Sequence, residues 1–121
     1  MGYKLIALDI DGTLLNSSNQ ITENVKEAIR KSKEKGVKVV LCTGRPLKGV
    51  ENFLDELNLK EEGDYVSTFN GALVQDAHTG KPISHLTLDY EDLCDLYDLS
   101  VEVGSRSHFY DTRTVYTFNR E

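Results

Sequence analysis

The sequence predicts an α/β protein whose first part is a parallel β-sheet with connecting helices and whose second part is a smaller α+β segment. Two observations support this. Short apolar segments alternate with segments in which apolar residues recur at helical spacing, and strands that alternate with helices favour a parallel sheet. After about residue 70 the pattern changes to hairpin turns, one amphipathic helix and short strands, which is typical of an α+β arrangement.

The first strand is predicted over residues 4–10, which are mostly apolar and contain no glycine. This composition indicates a strand buried inside the sheet. A turn is expected at residues 11–13, where an Asp-Gly pair follows the strand. Thr22 can cap the helix that comes next, and Gly36 lies where that helix would end.

The second strand is predicted over residues 37–41, another apolar and β-branched run. A helix should begin at Pro46, because the missing N–H of proline has no partner in a first helical turn. Residues 65–69 form the third predicted strand. We therefore expect residues 1 to about 70 to form the opening half of a Rossmann-like domain, with right-handed crossovers.

The second part begins with turn signals. Asn70-Gly71 predicts a hairpin, and residues 79–82 predict another turn. Asp89 can cap a helix that ends near Gly104, and residues 108–110 and 114–118 predict two short strands. From residue 82 onward this is an α+β segment. The parallel sheet would have an open edge, so we expect a truncated fold or self-association through that edge.

Composition limits the function classes. The net charge is −6, no block of lysine or arginine is present, and we expect no nucleic-acid partner. No apolar run approaches the ~20 residues that span a bilayer, so no membrane partner is expected. An acidic pair interrupts the place where a signal peptide would need its apolar stretch. The well-separated Cys42 and Cys94 indicate reduced thiols in a cytoplasmic protein.

Two carboxylates follow the first predicted strand. Asp9 and Asp11 are two residues apart, so both should face the crevice at the carboxyl end of the sheet, while Ile10 faces the core. Side by side they favour a cation, and Mg²⁺ prefers oxygen ligands. Asp9 can then attack phosphorus, and Asp11 can protonate the leaving alcohol and later activate water. The bland alternative is a surface turn, in which Asp and Gly are common.

Polar and glycine residues at the strand ends are the candidates for binding phosphate. Thr43 and the amide of Gly44 can hold phosphate oxygens ahead of a helix N-terminus, and Gly12 permits a close backbone approach. The structural alternatives are a helix cap for Thr43, a solvated side chain for Arg45 and a plain hairpin turn for Asn70-Gly71. The full candidate set is Gly12, Thr43, Gly44, Arg45, Asn70 and Gly71.

Three segments resemble motifs of the haloacid dehalogenase (HAD) superfamily. Residues 9–15 (DIDGTLL) resemble its first motif, and residues 41–46 (LCTGRP) resemble its second motif as found in the Cof-type members. Residues 69–72 (FNGA) are similar to the same subgroup. The resemblance is nearest to the YidA-type sugar phosphatases, and it continues through residue 75 and over residues 113–120.

The resemblance implies an α/β fold with a Rossmann-like core, here residues 1–81, and the beginning of a cap domain, here residues 82–121. It implies hydrolysis of small phosphate esters, such as sugar phosphates, with Mg²⁺. By motif position Asp9 would be nucleophile and metal ligand. Asp11 would be the general acid/base and would bind the metal through its main-chain carbonyl, and Thr43 would bind phosphate.

The chain departs from the family where the later motifs should be. The lysine of the third motif and the acidic cluster of the fourth have no counterpart in the 121 residues. We therefore expect little activity from this chain alone. One alternative is a receiver-type phosphoacceptor. Such proteins carry the phosphorylated aspartate after the third strand, and Asn70 at that position counts against this alternative. The other is a non-catalytic remnant that only binds a partner or self-associates.

Overall fold

A computed structural model describes residues 2–118, and it divides into two units after His85. Residues 119–121, at the end of the predicted cap segment and of the HAD resemblance, lie outside the described residues. No helix in the described range combines the length and apolar character needed to cross a membrane.

The first unit contains a five-stranded sheet in the order β1-β2-β3-β4-β5. The first three strands are parallel, as predicted, and β3, β4 and β5 are antiparallel neighbours. The pairing of β3 with β4 confirms the hairpin predicted at Asn70-Gly71. The strands are β1 (Leu5–Asp9), β2 (Lys38–Cys42), β3 (Tyr65–Thr68), β4 (Leu73–Asp76) and β5 (Pro82–His85).

The position of β1 differs from the prediction. It lies at the edge of the sheet and pairs only with β2 among the described residues. Leu5 is 55% exposed, so the expectation of a buried first strand was wrong. The apolar composition of β1 shows that it can be buried, but burial also requires something to cover the strand. Ile10, directly after β1, is fully buried as predicted.

Helix α1 (Glu23–Glu34) follows the predicted limits. The Thr22 hydroxyl accepts the N–H of Val25 at 3.4 Å, which caps the helix. Gly36 has φ +79°, a left-handed conformation that suits glycine after a helix end. Ile29 is buried and belongs to the hydrophobic core.

Helix α2 (Glu51–Glu56) begins later than predicted. A short turn at Leu47–Gly49 follows Pro46, and Val50 interrupts the helix with φ −133°. The apolar spacing from Leu47 was therefore partly misread, because one turn of helical spacing does not require a continuous helix. Phe53 and Leu54 of α2 are buried.

The core lies against one face of the sheet. Alternate residues of β2, β3 and β4 are buried, and their neighbours along each strand are only half-buried or exposed. Both helices add side chains to this cluster. Its fully buried members are Ile10, Leu41, Val50, Leu54, Leu59 and Val66.

The second unit begins at Leu86 and contains α3 (Tyr90–Glu102) and a hairpin of β6 (His108–Tyr110) and β7 (Val115–Thr117). Asp89 caps α3 by accepting the N–H of Asp92 at 2.8 Å, as predicted. None of its described residues is buried. The second part was predicted to start at residue 82, whereas the second unit of the structure starts at Leu86. The difference arises because β5 (Pro82–His85) pairs with β4 of the first unit.

Candidate functional site

The carboxyl ends of the three parallel strands lie side by side. Asp9 is the last residue of β1 and is in register with Cys42 of β2, which is in register with Ser67 of β3. Asp9 and Asp11 are both exposed, and the residue between them, Ile10, is fully buried. The chain therefore presents two carboxylates to solvent on either side of a residue that is anchored in the core.

A tight turn follows Asp9. Gly12 has φ +78°, and the N–H of Leu15 donates to Ile10 O at 3.1 Å to close the turn. A Cβ on Gly12 would meet no atom within 4 Å, so glycine is required here by backbone conformation rather than by crowding. Thr13 Oγ1 lies 3.4 Å from Asp9 Oδ2. Thr13 was not among the predicted site residues, although it lies within the first motif, residues 9–15.

The loops after β2 and β3 are tied together through their backbones. The N–H of Asn70 donates to Thr43 O at 2.9 Å, and the N–H of Thr43 donates to Ser67 O at 2.9 Å. Gly44 lies directly against the Asn70 side chain, because a Cβ on Gly44 would be 2.9 Å from Asn70 Oδ1. Five of the predicted phosphate-binding residues therefore belong to one connected pair of loops: Thr43, Gly44, Arg45, Asn70 and Gly71.

The loop after β3 is conformationally unusual. Phe69, Asn70 and Gly71 have φ values of +50°, +55° and +89°. A left-handed conformation costs roughly 1–2 kcal/mol for a residue with a side chain. Such conformations persist where the surroundings fix them, and they cluster at functional sites.

Arg45 connects the loop after β2 to the turn after β1. Its Nε lies 3.1 Å from Asp11 Oδ2, and its Nη2 lies 2.5 Å from Asp11 Oδ1. This is a two-point ion pair between residues 34 positions apart in sequence. The N–H of Arg45 donates to Thr43 Oγ1 at 3.0 Å. The structure thus brings Asp11, Arg45 and Thr43 into one hydrogen-bonded group.

Thr43 and Gly44 were expected to stand ahead of a helix that begins at Pro46, where N–H groups have no partners. Only the short turn Leu47–Gly49 follows Pro46, and helix α2 begins at Glu51, so the helix N-terminus lies farther from Gly44 than predicted. The phosphate-binding role of these residues remains a prediction that depends on the loop itself.

Cys42 of β2 is the register partner of Asp9 of β1. Burial raises the pKa of its thiol, the charge of Asp9 raises that pKa further, and a hydrogen bond with Ser67 acts in the opposite direction. The thiol is therefore poorly suited to act as a nucleophile. Sequence spacing could not identify this neighbour, because the pairing register of β1 and β2 decides it.

The donor atoms near Asp9 suit a hard cation only in part. In the part of the chain that is described, no group of three or more His, Cys, Asp or Glu side chains could hold a metal. Mg²⁺, however, usually keeps several waters and takes one or two carboxylates. The Asp9 carboxylate and the main-chain carbonyl of Asp11 fit that pattern, while the Asp11 carboxylate is paired with Arg45.

Comparison with known proteins gives the family. The sequence pattern of the haloacid dehalogenase-like hydrolases matches residues 6–121. YxeH of Bacillus subtilis, which is provisionally named a phosphatase, is 57% identical over 98% of this chain and 44% of its own length.

Solved structures agree with that match. A haloacid dehalogenase-like hydrolase from B. subtilis superimposes with a TM-score of 0.83 at 30% identity over 98% of this chain and 40% of that chain. A sugar phosphatase of HAD subclass IIB, BT4131, superimposes with a TM-score of 0.79 at 27% identity over 94% and 43%. This chain spans less than half the length of all three proteins. It belongs to the haloacid dehalogenase-like hydrolase family.

Proposed function

We propose that this chain carries the nucleophile and the acid–base group of a Mg²⁺-dependent phosphatase for small phosphate esters, with sugar phosphates as the substrate class. One observation carries the proposal: Asp9 and Asp11 are exposed at the carboxyl end of β1, on either side of a fully buried Ile10. Carboxylates held at a strand end beside a polar loop suit phosphoryl transfer. The sugar phosphatase BT4131 supports the substrate class.

The reaction has two steps. An Asp9 carboxylate oxygen attacks phosphorus, the bond from phosphorus to the ester oxygen breaks, and Asp11 gives its proton to the departing alcohol. Asp11 then takes a proton from water, whose oxygen attacks phosphorus. The bond between Asp9 and phosphorus breaks, inorganic phosphate leaves, and Asp9 is restored.

The other residues bind and position the phosphate group. In this proposal the amide of Gly44 and the side chains of Thr43 and Asn70 bind the phosphate oxygens; the backbone bond between Asn70 and Thr43, which holds their two loops together, supports it. Mg²⁺, when bound, would reduce the repulsion between carboxylate and phosphate dianion. The Asp9 carboxylate and the main-chain carbonyl of Asp11 would hold it.

The test is hydrolysis of p-nitrophenyl phosphate by the 121-residue chain with Mg²⁺. We expect slow release, about 10²- to 10³-fold or more below longer relatives, because the family's lysine and acidic cluster have no counterpart here. Asp9→Asn should abolish this release, whereas Asp98→Asn, an exposed acid on α3, should not. Acid quenching and mass spectrometry should locate a phosphoryl group on Asp9. Equal rates in the unaltered chain and Asp9→Asn would refute the proposal.

A second candidate is a non-catalytic module that self-associates. Within residues 2–118 β1 pairs with β2 alone, and this favours it, because an open sheet edge is a template for pairing with another strand. Light scattering distinguishes the two possibilities: a monomer with measurable hydrolysis contradicts this candidate, and an inactive dimer supports it. For either function we infer a cytoplasmic location, since Cys42 and Cys94 are free thiols.

A further inference from the structure

The contact between Arg45 and Asp11 conflicts with the first step proposed above. Both Asp11 carboxylate oxygens face the guanidinium, at 2.5 Å from Nη2 and 3.1 Å from Nε. This is the two-point geometry of a carboxylate with arginine. The first step, however, needs an Asp11 oxygen to reach the leaving alcohol, and both oxygens are occupied by the guanidinium. The contact must therefore open before Asp11 can act.

Arg45 is placed so that its side chain can leave Asp11 without moving its backbone. The N–H of Arg45 donates to Thr43 Oγ1, and Arg45 O accepts the N–H of Phe69 at 3.4 Å. The loop is thus held on both sides. The side chains of Arg45 and Asp11 are 42% and 55% exposed, and ion pairs this exposed contribute little to stability.

The loop that carries Arg45 is also the predicted phosphate-binding loop. Arginine has five N–H donors, and among the described residues three of them have partners, two on Asp11 and one on Gly49 O at 3.5 Å. A phosphate dianion offers arginine the same two-point acceptor geometry as a carboxylate, and it carries a larger negative charge. It can therefore compete with Asp11 for the guanidinium.

We propose that Arg45 is a positioning residue that exchanges partners: it holds the Asp11 carboxylate when the site is empty, and it releases Asp11 when a phosphoryl group takes the guanidinium. Substrate binding thereby frees the acid–base group at the moment it is needed. This inference rests on the proposed function, since it assumes that phosphate binds beside Gly44.

The test is a titration of the 121-residue chain with inorganic phosphate at constant ionic strength, followed by ¹⁵N NMR. We expect the Gly44 amide and the Arg45 Nε–H to shift with the same apparent Kd. Asp11→Asn should tighten phosphate binding, because it removes both a negative charge and the competitor for Arg45. The same substitution in the Arg45→Gln background removes only the charge.

The two backgrounds therefore separate exchange from simple charge removal. We expect the gain in phosphate affinity from Asp11→Asn to be about 3- to 10-fold larger when Arg45 is present. Equal gains, with an Arg45 Nε–H that does not respond while the Gly44 amide does, would overturn the exchange and leave the phosphate site intact. No response at either position in any variant would overturn the phosphate site, and the exchange with it.

Discussion

Gly44 and Asn70 lie in contact across two loops, at a distance that leaves no room for a Cβ on Gly44. Such an atom would be 2.9 Å from Asn70 Oδ1. The Asn70 backbone is held by the bond from its N–H to Thr43 O, so a Cβ on Gly44 would be accommodated by rotation of the Asn70 side chain. The contact therefore couples the conformation of the Asn70 side chain to the loop after β2.

We expect Gly44→Ala to destabilise the protein by about 1 kcal/mol, the low end of the range for an extra methyl group in a filled site, because the obstructing atoms belong to a side chain that can rotate. Urea denaturation measures the change. Asn70→Gly provides the matched background, since it removes the obstructing side chain and tolerates a positive φ. If Gly44→Ala costs as much in the Asn70→Gly background, the two residues are not coupled and this contact is unimportant.

Leu41 and Leu5 allow the centre and the edge of the sheet to be compared. Leu41 is fully buried in β2, so Leu41→Ala should cost about 2–5 kcal/mol. Leu5→Ala removes the same atoms from an exposed position in β1 and should change stability by about 0.5 kcal/mol or less. The urea midpoints of both variants test this. Similar losses would mean that β1 is covered in solution.

Thr68, the last residue of β3, belongs to a buried hydrogen-bonded group next to the loop Phe69–Gly71. Its hydroxyl lies 3.2 Å from both Leu73 O and Gln75 Oε1, and Gln75 Nε2 donates to Gly80 O at 3.0 Å. Thr68→Val keeps the shape and removes the donor, so we expect a loss of about 1–3 kcal/mol. Thr68→Ser keeps the hydroxyl and serves as the control. A larger loss from serine than from valine would show that packing, not hydrogen bonding, matters here.

Asp76 should contribute an acid-sensitive part of stability. Its carboxylate accepts the N–H groups of Thr79 and His78, and these bonds, Thr79 first, lower its pKa. A lowered folded-state pKa means that the contribution is complete above the unfolded-state pKa of about 3.9 and is lost as the pH falls through the folded-state value.

Asp76→Asn tests this sign, because asparagine can accept the same bonds but does not titrate. The unaltered chain should lose stability relative to Asp76→Asn as the pH falls from about 5 to about 2. Urea midpoints over that range give the difference. A constant difference at every pH would contradict the assignment.

The sequence predicted the elements better than their surroundings. The alternation of strands and helices along residues 4–69, the caps at Thr22 and Asp89 and the hairpin at Asn70-Gly71 followed from local chemistry. The exposure of β1 could not be predicted, because an apolar run specifies that a strand can be buried and not what covers it. Helix α2 was misplaced because the apolar spacing continues across the break at Val50.

For the candidate site, the local pattern predicted which residues lie at a strand end but not which side chains they contact. The position of Asp9 and Asp11 at the carboxyl end of β1 could be predicted, because the apolar strand pattern ends there. The partner of Arg45 could not, since a side chain that lies 34 residues away in sequence decides it. The contact between Gly44 and Asn70 likewise depends on how closely two loops approach.

The edge position of β1 has a consequence for amide hydrogen exchange. In a parallel pair, alternate residues of each strand direct their N–H groups to opposite sides. Among the described residues β1 has a partner on one side only, so every second amide of this strand has no protecting acceptor in the sheet. Deuterium uptake along β1 should therefore alternate from residue to residue, whereas Leu41 and Cys42 of β2, which pair with both β1 and β3, should be protected more evenly.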